Sequence, residues 1–236
     1  MRLLTDMQKD QYSRLSEDNR KAWDALYGKT QDLVWGAEPV GFLNEFRRDI
    51  AGRLRSCAQA LDAATGEGRN LSTLIDWGFR VTACDASEHA MQKMPSMLGS
   101  SVNRVISDLY TLPFQSGRFD FVLASDIIET LPDPNRALRE LWRVLRPGGL
   151  LLCNIPGMED GISSIDMNEI DDNRYLFRDR FFFQFMTEAQ ATELLVDSGF
   201  RPVRTALCSW VEKAHPEFRD TEHEHTSRVF LVERPQ

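Results

Sequence analysis

The stretch that most constrains this chain runs from Ala58 to Ser87, AQALDAATGEGRNLSTLIDWGFRVTACDAS. Ala60, Leu61, Ala63 and Ala64 form a short run of small apolar residues, which suits a strand buried on both faces. Gly66 and Gly68 break the run, and Arg69 to Trp77 then carries Leu71, Leu74 and Ile75 at helical spacing. Gly78 is placed to end that helix, and Val81 to Cys84 starts a second strand. Asp85 follows close to the spacing of about 20 residues at which a nucleotide-binding βαβ unit carries its ribose carboxylate. The stretch therefore predicts strand, glycine turn, helix, strand and acidic residue, with a ligand at the turn.

The glycines allow a tight turn and let a ligand approach the backbone, although glycines also end strands for structural reasons alone. A dinucleotide fingerprint wants Gly or Ala at its sixth position, and here that place is Leu71. Glu67 stands between the two glycines, where its charge opposes a pyrophosphate on the helix N-terminus. A nucleoside with no phosphate and a positive centre tolerates such a carboxylate, and S-adenosylmethionine (SAM) is a ligand of that kind.

ALDAATGEGRN followed by VTACDAS resembles motifs I and II of the class I SAM-dependent methyltransferases. The GEGRN ending is similar to the small-molecule branch, which includes tellurite-resistance and methyltransferase type 11-like proteins. Ala64 stands where the family usually has its first glycine. FDFVLASDIIETLPDP resembles motif IV with its downstream helix, and RPGGLLLCNIP matches the family's fifth strand. The resemblance covers roughly residues 20–236 and is strongest over 58–154. It implies an α/β fold, a Rossmann-like seven-stranded mostly parallel sheet, with an N-terminal helical extension and a lid insertion before the sixth strand.

The expected organisation is one domain: a helical cap over 1–55, a SAM-binding core over 56–156, a lid-like insertion over 157–186, and a C-terminal helix and strands over 187–236. Ser16 is a plausible N-cap for a helix over Glu17 to Tyr27, with Gly28 at its end. Ser87 should cap a helix through Met97, and Pro134 to Leu145 has the pattern of an amphipathic helix. Strands are expected at Val102 to Ile106 and Phe119 to Ala124. Thr187 should cap a helix over Glu188 to Ser198, and the last two strands fall at Val203 to Trp210 and Thr226 to Val232. In the family these two strands are antiparallel to each other.

The resemblance assigns SAM contacts to Ala64, Thr65, Gly66, Gly68 and Asn70 in the turn, and to Asp85 and Ala86 after the second strand. Asp108 and Leu109 are placed at the adenine, and Ser125 after the motif IV strand; a turn-capping role for Asp108 is the alternative. WDALYGKTQDLVWGAEP is similar to the family's entry segment, so Tyr27 and Trp35 would cover the methionine end of SAM by cation–π contact. The alternative is that both aromatics anchor the helix to the sheet. Asp126 and Glu129 stand at i, i+3, on one face if that segment is helical, where they could contact the acceptor or act as base. Asp126 is the nearest proton acceptor, and Glu129 reads rather as a solvated loop carboxylate. Thr130 stands where many relatives have histidine, which removes the obvious histidine base.

The segment 157–186 is first acidic, then basic and strongly aromatic, as a substrate-covering insertion would be. Arg174, Tyr175, Arg178 and Phe182 are its candidates to line the acceptor site; the alternative is a surface excursion whose phenylalanines, Phe182 and Phe185 among them, plug the core. The function implied is methylation of a small molecule, at N or O first, of the kind found in secondary metabolism. The rivals are an enzyme that binds SAM without methylating and a silent SAM-binding partner subunit.

Composition narrows the partners. A formal charge of −8 argues against a nucleic-acid backbone. The N-terminus lacks a signal-peptide apolar region, and no apolar run approaches the ~20 residues of a membrane helix. A cytoplasmic monomer or homodimer is expected. Cys57, Cys84, Cys153 and Cys208 are far apart and read as reduced, buried thiols. His223 and His225 in EHEH have no further ligands nearby in sequence, so no metal is expected.

Overall fold

The computed structural model describes residues 6–54, 57–95, 101–164, 166–215 and 218–236. Its frame is a seven-stranded sheet of β1 (Gln59–Ala63), β2 (Arg80–Asp85), β3 (Val102–Ile106), β4 (Phe119–Ala124), β5 (Leu145–Pro156), β9 (Arg201–Glu212) and β10 (His223–Glu233). The spatial order is β3-β2-β1-β4-β5-β10-β9, parallel from β3 to β5. β10 runs antiparallel to both β5 and β9. This is the Rossmann-like sheet expected, and its strand order reverses between β1 and β4.

Burial on both faces explains why β1 and β4 lack a polar–apolar alternation. Leu61, Ala63, Val122 and Ala124 turn to one face, against Leu138 and Leu141 of α5 (Pro134–Val144) and Leu195 of α6 (Glu188–Asp197). Ala60, Phe121 and Leu123 turn to the other, against Leu71 and Leu74 of α3 (Leu71–Asp76) and against Phe42 and Phe46. The caps predicted for two helices are present. Ser87 Oγ accepts from Ala90 N at 3.0 Å to open α4 (Glu88–Lys93), and Thr187 forms a capping box with Gln190. The expected continuation of α4 to Met97 lies outside the described residues.

Three expectations are corrected. Helix α1 runs Asp6–Gly28, so Ser16 is not its cap; within the helix its Oγ donates to Tyr12 O at 2.8 Å. The residues after β4 do not put Asp126 and Glu129 on one helical face. Asp126 has φ +52°, and only a 3-10 turn over Ile128–Thr130 follows. Cys57 is exposed, while the other three thiols are buried.

The insertion has its own three-stranded antiparallel sheet of β6 (Met167–Asp171), β7 (Arg174–Phe177) and β8 (Phe181–Gln184). Several side chains tie it to α1, a buried asparagine first among them. Asn19 is buried; its Nδ2 donates to Thr130 O at 2.8 Å and its Oδ1 accepts from Phe182 N at 2.9 Å. Trp23 of α1 meets the rings of Phe181 and Phe218 at centroid distances of 4.6 and 5.6 Å. An apolar aromatic cluster therefore joins the N-terminal helix, the insertion and the loop between β9 and β10.

Candidate active site

One deep cleft opens at the carboxyl ends of β1 and β4, where open α/β sheets bind their ligands. The glycine turn forms its floor. Ala64, Gly66 and Gly68 all have positive φ, at +57°, +56° and +88°. Gly66 N donates to Asp85 Oδ2 and Ser87 N to Asp85 Oδ1, each at 2.8 Å, so one carboxylate ties the turn to the end of β2. Burial pushes the Asp85 carboxyl upward, and the amides of Ser87, Gly66 and Ala86 work against that shift.

Ala64, Thr65, Gly66, Asn70, Asp85, Ala86, Asp108, Leu109, Ser125, Tyr27 and Trp35 all line this cleft. Gly68 does not. A Cβ there would stand 2.7 Å from Leu71 Cδ1, so its place is set by packing of the turn on α3. Asp108 Oδ1 accepts from Tyr110 N at 2.7 Å, so it caps a turn as well as facing the cleft. Trp35 Nε1 donates to Tyr27 Oη at 2.8 Å, and burial raises the Tyr27 phenol far above its usual range. The tyrosine hydroxyl is close to the turn: a Cβ on Gly66 would meet it at 3.0 Å.

Glu67 behaves differently from its reading in the sequence. It is buried, and its Oε2 accepts from Val34 N at 2.8 Å and Trp35 N at 3.2 Å, with Lys93 Nζ 3.3 Å from Oε1. Its charge anchors the N-terminal segment to the turn. Asn70 does likewise: Oδ1 accepts from Val40 N and Nδ2 donates to Ser125 Oγ, both at 3.0 Å.

The far wall is charged. Arg69 Nη2 donates to Asp126 Oδ2 at 2.5 Å and its Nη1 to Glu212 Oε1 at 2.8 Å. Burial disfavours this guanidinium, but Asp126 and Glu212 outweigh it and raise its pKa. Asn154 Nδ2 donates to Asp126 Oδ1 at 2.7 Å, so both oxygens of Asp126 already accept strong hydrogen bonds. Glu129 is buried, not solvated, and its Oε2 has no hydrogen-bond partner among the described residues. Burial first, then the charge of Asp126, hold its carboxyl well above the ordinary range. Glu212 has the opposite fate. Burial would raise it, but His215, Arg69 and His225 hold it well below the usual carboxylate range.

Sequence reasoning missed Arg69, Glu129, Asp160, Glu212 and the histidines, all of which line the cleft. Arg69 and Glu129 sit within the sequence motifs, but Glu129 reads as solvated there, and His223 and His225 as without further ligands. The acceptor-lining candidates of the insertion lie elsewhere. Arg174 is bonded to Tyr12, Tyr175 meets Phe185 at 5.6 Å, and Arg178 is ion-paired with Asp166 at 3.6 Å. Phe182 is fully buried, and its neighbour Phe183 faces the cleft in its place. The reason is strand parity: a shift of one residue reverses which side chain points inward.

Residues 61–153 match the family model described as "Methyltransferase domain". A demethylmenaquinone methyltransferase of Staphylococcus aureus is 35% identical over 155 residues, which are 61% of this chain and 60% of that protein. One of Roseiflexus castenholzii is 33% identical over 101 residues, 42% of each chain. The chain thus spans less than two thirds of the length of these curated relatives. A 1,6-didemethyltoxoflavin-N1-methyltransferase of Burkholderia thailandensis, solved with its substrate and S-adenosylhomocysteine, superposes with a TM-score of 0.71. It is 20% identical, and the match covers 100% of this chain and 93% of that one. Residues 61–153 thus match a methyltransferase domain, and the whole length shares its fold with the toxoflavin methyltransferase.

Proposed function

We propose that the chain is an enzyme that binds SAM on the glycine turn and methylates a small molecule at nitrogen or oxygen. The residues fit the cofactor. Gly66 and Ala86 leave the backbone uncovered beside Asp85, whose carboxylate oxygens keep lone pairs for two ribose hydroxyls. Asp108 and Leu109 flank the place for adenine, and Tyr27 and Trp35 the place for the sulfonium. When bound, SAM supplies an electrophilic methyl group on that sulfonium.

One observation carries the acceptor assignment: Trp23, Trp35, Phe183 and Phe218 line the same cleft as Asp126, Glu129 and Asp160. That contrast suits a flat, largely apolar acceptor with one polar nucleophilic edge. Charge disperses in the displacement, so the residues need chiefly to align the acceptor and exclude water. Such alignment lowers barriers by about 7–11 kcal/mol in favourable cases. The aromatic cluster and α1 would serve as the cover that excludes water. Glu129 has a free oxygen and a carboxyl poised to hold a proton, which suits it to the acceptor's polar edge better than Asp126, whose oxygens Arg69 and Asn154 already hold.

The test is incubation of the full chain with SAM and flat heteroaromatic amines and phenols, with S-adenosylhomocysteine measured by mass spectrometry. Formation of S-adenosylhomocysteine with a methylated product supports methyl transfer. SAM that binds in calorimetry and is never consumed while the acceptor is otherwise transformed would replace this reading with non-methylating catalysis.

A further inference from the structure

Four side chains on the acceptor wall have an arrangement that methyl transfer does not explain. Glu212, His215, His223 and His225 place one ligand-type atom each within 4.8 Å of all the others. The β9–β10 hairpin creates the group. Its register sets His223 opposite Glu212, His225 lies two residues on along the same face, and His215 stands in the connecting loop. Three of the chain's four histidines therefore converge on one point.

The hydrogen bonds fix which ring atom each histidine presents. His215 Nδ1 is 3.2 Å from Val34 O, and His223 Nδ1 is 3.1 Å from Thr221 O. His225 Nδ1 is 3.2 Å from Asp160 Oδ1. All three neighbours are acceptors only, so each Nδ1 is placed to donate, and each ring, when neutral, presents its Nε2 as a lone pair. Those Nε2 atoms point at one another. His223 Nε2 and His225 Nε2 are 3.0 Å apart, and His215 Nε2 is 2.8 Å from Glu212 Oε2. His215 is buried, yet its Nε2 makes no aligned hydrogen bond. Meanwhile Arg69 and Trp210 both donate to Glu212 Oε1, at 2.8 and 3.0 Å, leaving Oε2 to face the rings.

Lone pairs crowded in this way need either protons or a metal cation among them, and one cation can serve all four groups at once. Zinc bound at ~2.0–2.2 Å by nitrogen and oxygen separates its ligand atoms by roughly 3.3–3.5 Å in a tetrahedron. Three of the six separations, at 2.8, 3.0 and 3.8 Å, straddle that value, and all six lie within 4.8 Å. A histidine whose other nitrogen is held by a carboxylate, as Asp160 holds His225, is the usual outer support of such a ligand. We propose that Glu212, His215, His223 and His225 bind one divalent cation of the zinc class, with Asp160 as a positioning residue. The site lies on the wall of the same cleft but rests on its own geometry, and it stands or falls independently of methyl transfer.

The experiment uses the full chain stripped with chelator and titrated with Zn²⁺ against a fluorescent zinc indicator. One zinc per chain is expected, with affinity weakened at least 100-fold in a His223→Ala/His225→Ala variant and about 10–100-fold in Asp160→Asn. Because variants can fail to fold, the unaltered chain is also loaded with Co²⁺, where tetrahedral nitrogen–oxygen ligation gives intense visible absorption. Zinc binding that the double variant leaves unchanged, or absence of both zinc binding and the cobalt signature in the unaltered chain, overturns the site. SAM calorimetry on the same stripped chain separates the two claims: intact SAM binding without zinc rejects only this site, and zinc binding without SAM rejects only the cofactor assignment.

Discussion

The proposed cofactor half of the cleft takes its turn and its ribose carboxylate from one continuous stretch, Ala64 to Ala86, whereas the acceptor half takes Trp23, Asp126, Glu129, Asp160, Phe183 and the β9–β10 hairpin from across the chain. The first half works mainly through backbone: positive φ values, short side chains, and amides gathered on Asp85. The second works through buried charge, with Arg69, Asp126, Glu129 and Glu212 neutralising or displacing one another's protons. The comparison implies different sensitivities. Altered conformational preference should disturb the first half, and an altered charge count should disturb the second.

Arg69 belongs to both halves, so it gives the largest expected effect. It stands in the local motif, yet its guanidinium serves two distant carboxylates. Arg69→Met leaves Asp126 and Glu212 without that counter-charge, and breaking a buried ion network costs about 3–5 kcal/mol. Urea unfolding should show a lower midpoint with an unchanged slope. A loss below about 1 kcal/mol would show that the acceptor half does not depend on this charge.

Next is Asp85→Ala, which should weaken SAM by about 2–4 kcal/mol, since charge-assisted hydrogen bonds are lost and the amides of Gly66 and Ser87 lose their acceptor. Asp108→Ala should cost less, about 1–2 kcal/mol. Calorimetry on both variants checks the order. Equal losses would mean the contrast between ribose and adenine ends is wrong.

This asymmetry also explains what could be read from the chain itself. The βαβ unit and the capped starts of α4 and α6 depend on near neighbours, and Ser87 and Thr187 cap where their patterns predict. The acceptor half depends on pairings that no local pattern encodes. Nothing near His223 in sequence reveals that the hairpin register brings Glu212 opposite it, or that His215 folds back. Glu129 looked solvated because its burial comes from the core beneath β4 and from α1, far away in sequence. In the insertion the parity of β8 could not be fixed, and Phe182 took the place that belongs to Phe183.

Beneath the turn, Asp62 offers a subtler test of charge inside the backbone half. It is buried, accepts from Thr65 Oγ1 at 2.7 Å through Oδ2, and leaves Oδ1 without a partner among the described residues. Burial pushes its carboxyl up to about 7 from an ordinary value of 3.8. Between those values the folded chain holds a proton that the unfolded chain has released. Stability from this group therefore falls as pH rises from about 4 to 7 and stays low above that. Asp62→Asn removes the titration and keeps the acceptor for Thr65. It should gain on the order of 1–3 kcal/mol at pH 8 and little at pH 4, read from urea midpoints at both. An equal effect at both pH values would show that Asp62 does not titrate in that window.

The smallest effect concerns Ala64, which holds φ +57° where the family usually has glycine. A Cβ in the left-handed region costs about 1–2 kcal/mol, while glycine gives back about 0.4–1 kcal/mol through its freer unfolded chain. Ala64→Gly should thus stabilise by about 0.5–1 kcal/mol, or roughly 1–4 °C in Tm for a domain of this size. Its effect on SAM affinity should be slight, because the turn already has the conformation that glycine would favour. Ala64 is half-buried and packs on the core beside the cleft, which supplies the counter-argument. If the methyl group's contacts there outweigh the strain, Tm will fall instead. Differential scanning calorimetry on Ala64→Gly with and without SAM decides between them, and a fall would mean that the backbone half is held by side-chain packing after all.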